Sequence, residues 1–593
     1  MHDYRLRSTS QYVDAGTALD WHASLPDIGG RGRVVGSSVD IGCYERQPDD
    51  SDYHSIVRAV ASAADRTGDW ADAYVGIQAA VDATPGFSLI LARSGVYDVA
   101  ETIVVSNKTL EIRSVNPATG ATDRDGTILD GQGLRRIMIS HHGPQSASFL
   151  PSNARPVRME GFTFRNGYTR VGDGQDFSGD GGGLLLFGRA PAAGGTPSRF
   201  VDCCFTNCTA FNGGAAAIIG GVFENCIFAG NSATETDGCG GAVAAIAKVY
   251  AENGRMPHLY GEDDLWLSPG FIGCTFTNNN AYLHGGAFAG SVKGGSSCTV
   301  YLSGCSFLDN HVQAGEDSHG SAVGYTYGSL MTNCVFRSNS GANYGVVANS
   351  GNMIMSDCEF SSNTAMYGAV SGDNADADEH GGSIMDRCRI VHHTGYAFFS
   401  CGTVRNTLFA FPGSSYYMFT SVYGNGHDGG NKLGYRPFFE NCTFVRDDNK
   451  AIINLNSSYY YRPVYVNCIF CRTDGNSAIF TTPGDKTTVT MTNCCLSAAI
   501  PSESSSRFFT TGNIVGNPVF RNAAEGDYYI KRSSPCREAG AKFDWMDASA
   551  LDLARQPRVV KNARTLADDP SAMPDIGCYE NQDKMRGGMI SFR

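Results

Sequence analysis

Two short stretches carry residue types that could cut a glycosidic bond, Thr236-Asp237-Gly238 and Gly426-His427-Asp428. Hydrolysis needs two carboxylates flanking the bond at a defined separation. The sequence pairs no two carboxylates in that way, and both stretches also read as turns. Two glycine-bearing loops are acidic: one holds Asp173, Asp176 and Asp180, the other Asp373, Asp376, Asp378 and Glu379. Calcium takes about 6–8 oxygen ligands, so either loop could hold it, and a solvated acidic loop is the plain alternative. An eliminating enzyme would add a Lys or Arg base beside such an ion. Tyr416-Tyr417 and Tyr459-Tyr460-Tyr461 could stack on sugars or cover a β-surface. His392-His393 has no third ligand in view and reads as structural. Calcium is the one cofactor these residues suggest.

The elements that must position these residues repeat. Cys274-x-Phe276-x-x-Asn279 is followed by Gly285-Gly-Ala, and the pattern returns at Cys305, Cys334 and Cys358. The period is roughly 24–31 residues, as in a solenoid. Cys and Phe two apart share one face of a strand. Each unit therefore predicts one coil of a parallel β-helix, with like residues stacked about 4.8 Å apart. The cysteine ladder runs Cys203, Cys226, Cys274, Cys305, Cys334, Cys358, Cys388, Cys442, Cys468 and Cys494. The phenylalanine ladder runs Phe205, Phe228, Phe276, Phe307, Phe336 and Phe360, and the asparagine ladder Asn231, Asn279, Asn310, Asn339 and Asn363. These Asn are expected to end the strand by taking left-handed backbone. Small Gly-Gly-Ala residues start the next strand, where the backbone turns inward.

Totals agree with this. Glycine is 72 of 593 residues and charged residues are 18%, against usual shares of about 7% and 25%. Net charge is −13, which argues against a nucleic-acid surface. Acidic polysaccharide would also be repelled without a local basic groove or a cation. Ten of the 20 cysteines sit at one repeat position, so they read as small buried hydrophobes. Cys203-Cys204, Cys494-Cys495 and the pair Cys468 and Cys471 are better candidates for oxidation. The opening Met1-His-Asp-Tyr-Arg-Leu is no signal peptide, and no run is long enough to cross a membrane as a helix.

In chain order, residues 1–45 and 521–593 carry the same segment. Asp3-Tyr4, Leu6, Asp14-Ala-Gly, Asp20-Trp21 and Asp40-Ile41-Gly-Cys-Tyr44-Glu return as Asp527-Tyr528, Ile530, Glu538-Ala-Gly, Asp544-Trp545 and Asp575-Ile576-Gly-Cys-Tyr579-Glu. The carboxyl copy is expected to seal the last coil. The amino copy has no coil of its own before it, which suggests descent from, or cutting out of, a tandem array. Residues 46–54 read as a linker and 55–520 as the solenoid, with a cap helix near 70–84.

The Phe228-x-x-Asn231 and Gly240-Gly-Ala-Val243 motifs resemble the repeats of polymorphic outer membrane proteins. The doubled Asp-Ile-Gly-Cys-Tyr-Glu segments resemble the tail of bacterial choice-of-anchor Q proteins. Together they make the chain similar to the right-handed parallel β-helix, pectin-lyase-like superfamily. That resemblance implies an all-β solenoid and an extracellular or cell-surface setting. It also invites comparison with polygalacturonases, of which Asp237, His427 and Asp428 keep only part: the paired Asp-Asp and Arg-Ile-Lys elements are missing. The leading expectation is a non-enzymatic surface rod. It would join itself head-to-tail, residues 1–45 docking on the carboxyl-end coils of the next copy through Tyr4, Leu6, Trp21, Ile41 and Tyr44. The alternatives are a polysaccharide lyase or hydrolase and a glycan-binding adhesin.

Overall fold

The computed structural model describes residues 53–141, 156–169, 179–188, 197–246, 269–292, 298–313, 317–349, 353–365, 368–372, 383–394, 402–411, 419–420, 437–448, 451–455, 462–475, 479–483, 487–500, 506–546, 549–558 and 573–581. It is a right-handed parallel β-helix. Sheets of 17, 15 and nine strands run along the rod, and nearly every ladder is parallel. Among the described residues no helix is long and apolar enough to cross a membrane.

One coil shows why the repeat folds this way. Gly270–Ile272 lies in the 17-stranded sheet. Gly273 turns the corner with a φ of 63° and Cys274 points inward. Thr275–Thr277 enters the 15-stranded sheet with Phe276 inward. A second corner follows at Asn278, φ 54°, and then the ladder Asn279. After Asn280–Ala281 come His284, Gly285 and Gly286, which lead into Phe288–Ala289 of the nine-stranded sheet. Gly285 has a φ of 63°, and a Cβ there would lie 2.2 Å from the Phe288 carbonyl oxygen. A Cβ on Gly286 would meet the Ser321 oxygen of the next coil at 2.2 Å. The glycine pair is thus dictated by close backbone approach.

Stacking is in register. Phe205, Phe228, Phe276, Phe307, Phe336 and Phe360 form one column, with successive ring centroids 4.5–5.0 Å apart. Phe200, Phe223 and Phe271 form a second column on the facing sheet, at 5.1 Å. The ten ladder cysteines are buried and unbridged, as are all the described cysteines except Cys204, which is half-buried and also free. Burial pushes Cys208 and Cys298 up to about 12, which keeps such thiols protonated.

Three expectations change in detail. The ladder Asn residues are not the left-handed ones. That conformation belongs to the residue before each: Gly230, Asn278, Asp309, Ser338 and Ser362. The Asn side chains instead point inward and bond along the rod. Asn310 Nδ2 donates to Asn339 Oδ1 at 2.9 Å and to the Phe276 oxygen at 3.0 Å, while Asn310 Oδ1 accepts from the Asn279 amide at 3.1 Å. The helix is shorter than expected, Ile77–Ala83, because a 3-10 turn at Gly68–Trp70 and a short strand at Tyr74–Val75 precede it.

The carboxyl segment is the third. After the antiparallel pair Phe520–Asn522 and Asp527–Ile530, its described residues run back along the flank instead of plugging the end. Arg558 bonds Asn406, Cys578 bonds Thr443 and Ala541 bonds Asn467. Phe520, Ile530, Cys536, Ile576, Cys578 and Tyr579 pack on the outer side of the 15-stranded sheet, against Val391, Leu408, Ala410, Val445, Ile469, Cys471 and Cys495. Among the described residues the strand Phe508–Thr511 of the last coil pairs on one side only, with Val489–Thr492, and Phe509 is exposed.

Candidate functional site

The slot before each Gly-Gly turn stacks into a column along the solenoid, part buried and part half-exposed. It holds Asp180, Asn212, Cys239, His284, His319 and Tyr344, joined by parallel bridges and backbone bonds. At one end the Arg136 guanidinium donates to the Asp180 and Gly181 carbonyl oxygens, and Asn212 Nδ2 donates to Asp180 Oδ1 at 2.9 Å. Burial pulls Arg136 down to about 10 and lifts Asp180. The next rung is tied in through the Cys239 amide, which donates to Asn212 Oδ1 at 3.1 Å.

The middle of the column is imidazole and phenol. The His284 and His319 rings lie edge to face with centroids 5.2 Å apart, and His319 stacks on Tyr344 at 4.7 Å. Tyr325 leans over both imidazoles, 4.5 Å from His284 and 4.8 Å from His319. It does so from an unusual backbone. Its strand, Val323–Thr326, slips register against Val347–Asn349, and Tyr325 has a φ of 54°. A left-handed aromatic residue is an outlier, and bulges commonly re-aim a side chain at a functional site. Among the described residues His284 Nδ1 is buried with no hydrogen-bond partner. Burial pushes His284 down to about 3, helped by the neighbouring His319 and opposed by a hydrogen bond to the Leu283 backbone and by nearby Asp237. His319 is pushed down to about 4, with Asp317 opposing. Both rings are neutral at pH 7, so the cluster offers an unprotonated nitrogen, a phenol and flat ring faces.

Of the residues expected from the sequence, Asp237 lies at a tight turn beside this cluster, with a φ of 71°, and Asp180 lies in the column. His427, Asp428, Asp173, Asp176, Asp373, Asp376, Asp378, Glu379 and both tyrosine runs lie outside the described residues, as do Tyr4, Leu6, Trp21, Ile41 and Tyr44. Among the described residues no three His, Cys, Asp or Glu side chains come together as a metal site. His392 fills a left-handed corner, φ 50°, and His393 is buried one rung beyond Asn363. Sequence reasoning missed His284, His319 and Tyr325. For the two histidines the signal was the residue ahead of Gly285-Gly and Gly320-Ser, a slot that varies while its neighbours repeat.

No family model matches the chain, and no curated protein matches it. Among solved structures, one similar chain is a mannuronic acid specific polysaccharide family 6 lyase from human gut microbiota, at 11% identity and a TM-score of 0.35, covering 79% of this chain and 93% of that one. A family 6 polysaccharide lyase from Pseudopedobacter saltans has 10% identity and a TM-score of 0.32, covering 82% and 98%. Pectate lyase Pel9A has 12% identity and a TM-score of 0.28, covering 89% and 96%. Similarity at this level bears on neither substrate nor mechanism. The parallel ladders, not these scores, establish the β-helix.

Proposed function

We propose that the chain is an extracellular or cell-surface rod that binds polysaccharide across the His284, His319, Tyr325 and Tyr344 cluster. The observation that carries this reading is Tyr325, held in a strained backbone over two imidazoles, one with a buried nitrogen that has no partner among the described residues. Sugars suit such a surface because CH faces stack on rings while hydroxyls bond to imidazole and phenol. With both imidazoles neutral, an uncharged glycan fits better than a polyanion. Binding is tested by calorimetry against neutral and acidic polysaccharides, with and without calcium. A glycan bound by the native protein is expected to bind at least about tenfold more weakly to Tyr325→Ala, the loss of roughly one stacking contact. The reading fails if no polysaccharide binds, or if Tyr325→Ala and His319→Ala bind as the native protein does.

A second reading, turnover at the same cluster, draws on the neutral imidazole beside a phenol and Asp237, a set able to take and return a proton. New reducing ends or unsaturated products, lost in His319→Ala, would favour it over binding alone.

A further inference from the structure

The carboxyl segment reads the side of the solenoid through a small set of contacts. Arg558 is fully buried. Its guanidinium donates to Asn406 Oδ1 at 2.7 Å, to the Gly577 oxygen at 2.7 Å and to Glu580 Oε2 at 3.2 Å. Asp552 closes the loop by accepting from the Glu580 amide at 2.8 Å and the Gln556 amide at 2.7 Å. Two corners away, the Asn467 side chain accepts from the Ala541 amide and donates to the Ala541 oxygen, both at 2.7 Å. Two glycines sit against the wall. A Cβ on Gly577, φ 103°, would lie 2.6 Å from Ile469 Cδ1, and a Cβ on Gly540 would lie 3.1 Å from Asn467 Cγ.

The amino copy keeps these residues. Asp27, Arg33, Asp40 and Glu45 stand where Asp552, Arg558, Asp575 and Glu580 stand in the carboxyl copy. Gly16 and Gly42 match Gly540, where a Cβ would meet the segment's own Pro574 oxygen at 2.8 Å and the wall at Asn467 Cγ at 3.1 Å, and Gly577, where φ is 103° and a Cβ would also meet Ile469 of the wall. Arg555, which bonds Asn333 and Asp357, is matched by Gly30, and Cys536 by Tyr12, so those contacts are not kept.

The Asn406 and Asn467 corners of its own rod are out of reach and already held. From Ile56 to the Asn406 corner there are eleven successive strand pairings. At about 4.8 Å each, that is about 53 Å. Ten residues separate Glu45 from Ile56 and span at most about 36 Å. The Asn406 and Asn467 acceptors are also held by the chain's own Arg558 and Ala541. Docking of residues 1–45 on the occupied carboxyl-end flank of the next copy would have to displace that copy's own segment.

We propose that residues 3–45 are a second flank strap, built to clasp a different β-helix. The partner is a parallel β-helix whose corner row is uncovered and carries an acceptor side chain, such as Asn, at two corners two coils apart. Arg33 takes the first and the Gly16-Thr17 backbone the second.

A graft tests this in one polypeptide. Residues 3–47 are fused after Gly526 in place of the carboxyl segment. The graft is expected to melt with the intact protein, and Arg33→Ala within it to lower the midpoint as Arg558→Ala does in the intact chain. In a second measurement the intact protein is mixed with a rod of residues 46–526, which bears an open flank and no strap. A one-to-one complex should sediment, and Arg33→Ala in the intact partner should abolish it. A graft no more stable than the chain cut at Gly526, or one indifferent to Arg33→Ala, overturns the proposal. If the cut chain does not fold, the comparison of graft, graft with Arg33→Ala and intact protein still decides.

Discussion

At the scale of single residues, the interior is polar in one line and apolar in the next, and the two lines respond to different stresses. Asn310 is wholly buried and bonds both neighbours in its ladder. Asn310→Ala leaves the Asn279 amide and the Phe276 carbonyl without that side chain, at a cost of about 2–3 kcal/mol. Denaturant unfolding checks the loss, and hydrogen exchange should localise it to the Asn279 amide. The imidazoles respond to acid. His284 and His319 have folded values of about 3 and about 4, below the ordinary 6.5. The unfolded chain therefore binds more protons between these values, and stability falls as pH drops from about 6.5 toward 4. A double His284→Gln and His319→Gln variant is expected to lose less of its melting temperature over that window than the native protein does. An equal loss would mean the histidines do not set the slope.

At the scale of the coil, Gly285 holds the turn that sets His284 against His319 and Tyr325. Its left-handed backbone and the Phe288 oxygen leave no room for a side chain. Gly285→Ala is expected to cost about 2 kcal/mol or more through strain and the clash it forces. Melting should fall, and ring-current shifts of the His284 and Tyr325 resonances should collapse. This element was legible as a motif, because Gly-Gly-Ala repeats with the Cys-x-Phe unit. The histidine ahead of it was not, because a position that changes from Asp180 through Asn212 to His284 shows no period. Tyr325 was hidden for a different reason. Only the slipped register of Val323–Thr326 turns it outward, and a one-residue bulge leaves no mark in an apolar strand. The Asn ladder was legible by spacing but misassigned in conformation, since the corner residue before it takes the left-handed backbone and frees Asn to face inward.

At the scale of the whole molecule, coil architecture was written in the repeat, whereas the strap was not. Its docking depends on outward positions of the 15-stranded sheet, which become apolar at Leu408, Ala410, Val445 and Ile469, where the segment lies. In coils that the described segment does not reach, the equivalent outward positions are mixed, Thr275 and Thr277 in one coil but Ile227, Leu308 and Val335 in others. The two halves of the rod therefore differ in how freely their length can drift. Removing residues 204–226 joins Cys203 to Ile227 and excises one complete coil, so each remaining Phe finds another Phe above it. Such a deletion is expected to melt near the native protein. Removing residues 443–468 is equally tidy for the interior, but it takes out Thr443 and Asn467, the partners of Cys578 and Ala541, and leaves Asn441 in the place of Asn467, one rung, about 4.8 Å, nearer Asn406. The clasp then no longer spans its footholds, and the variant should melt well below the first. Descendants of this sequence are free to gain or shed whole turns ahead of Asn333, while the stretch beneath the clasp is held to a fixed count, like a ruler whose far end is pinned.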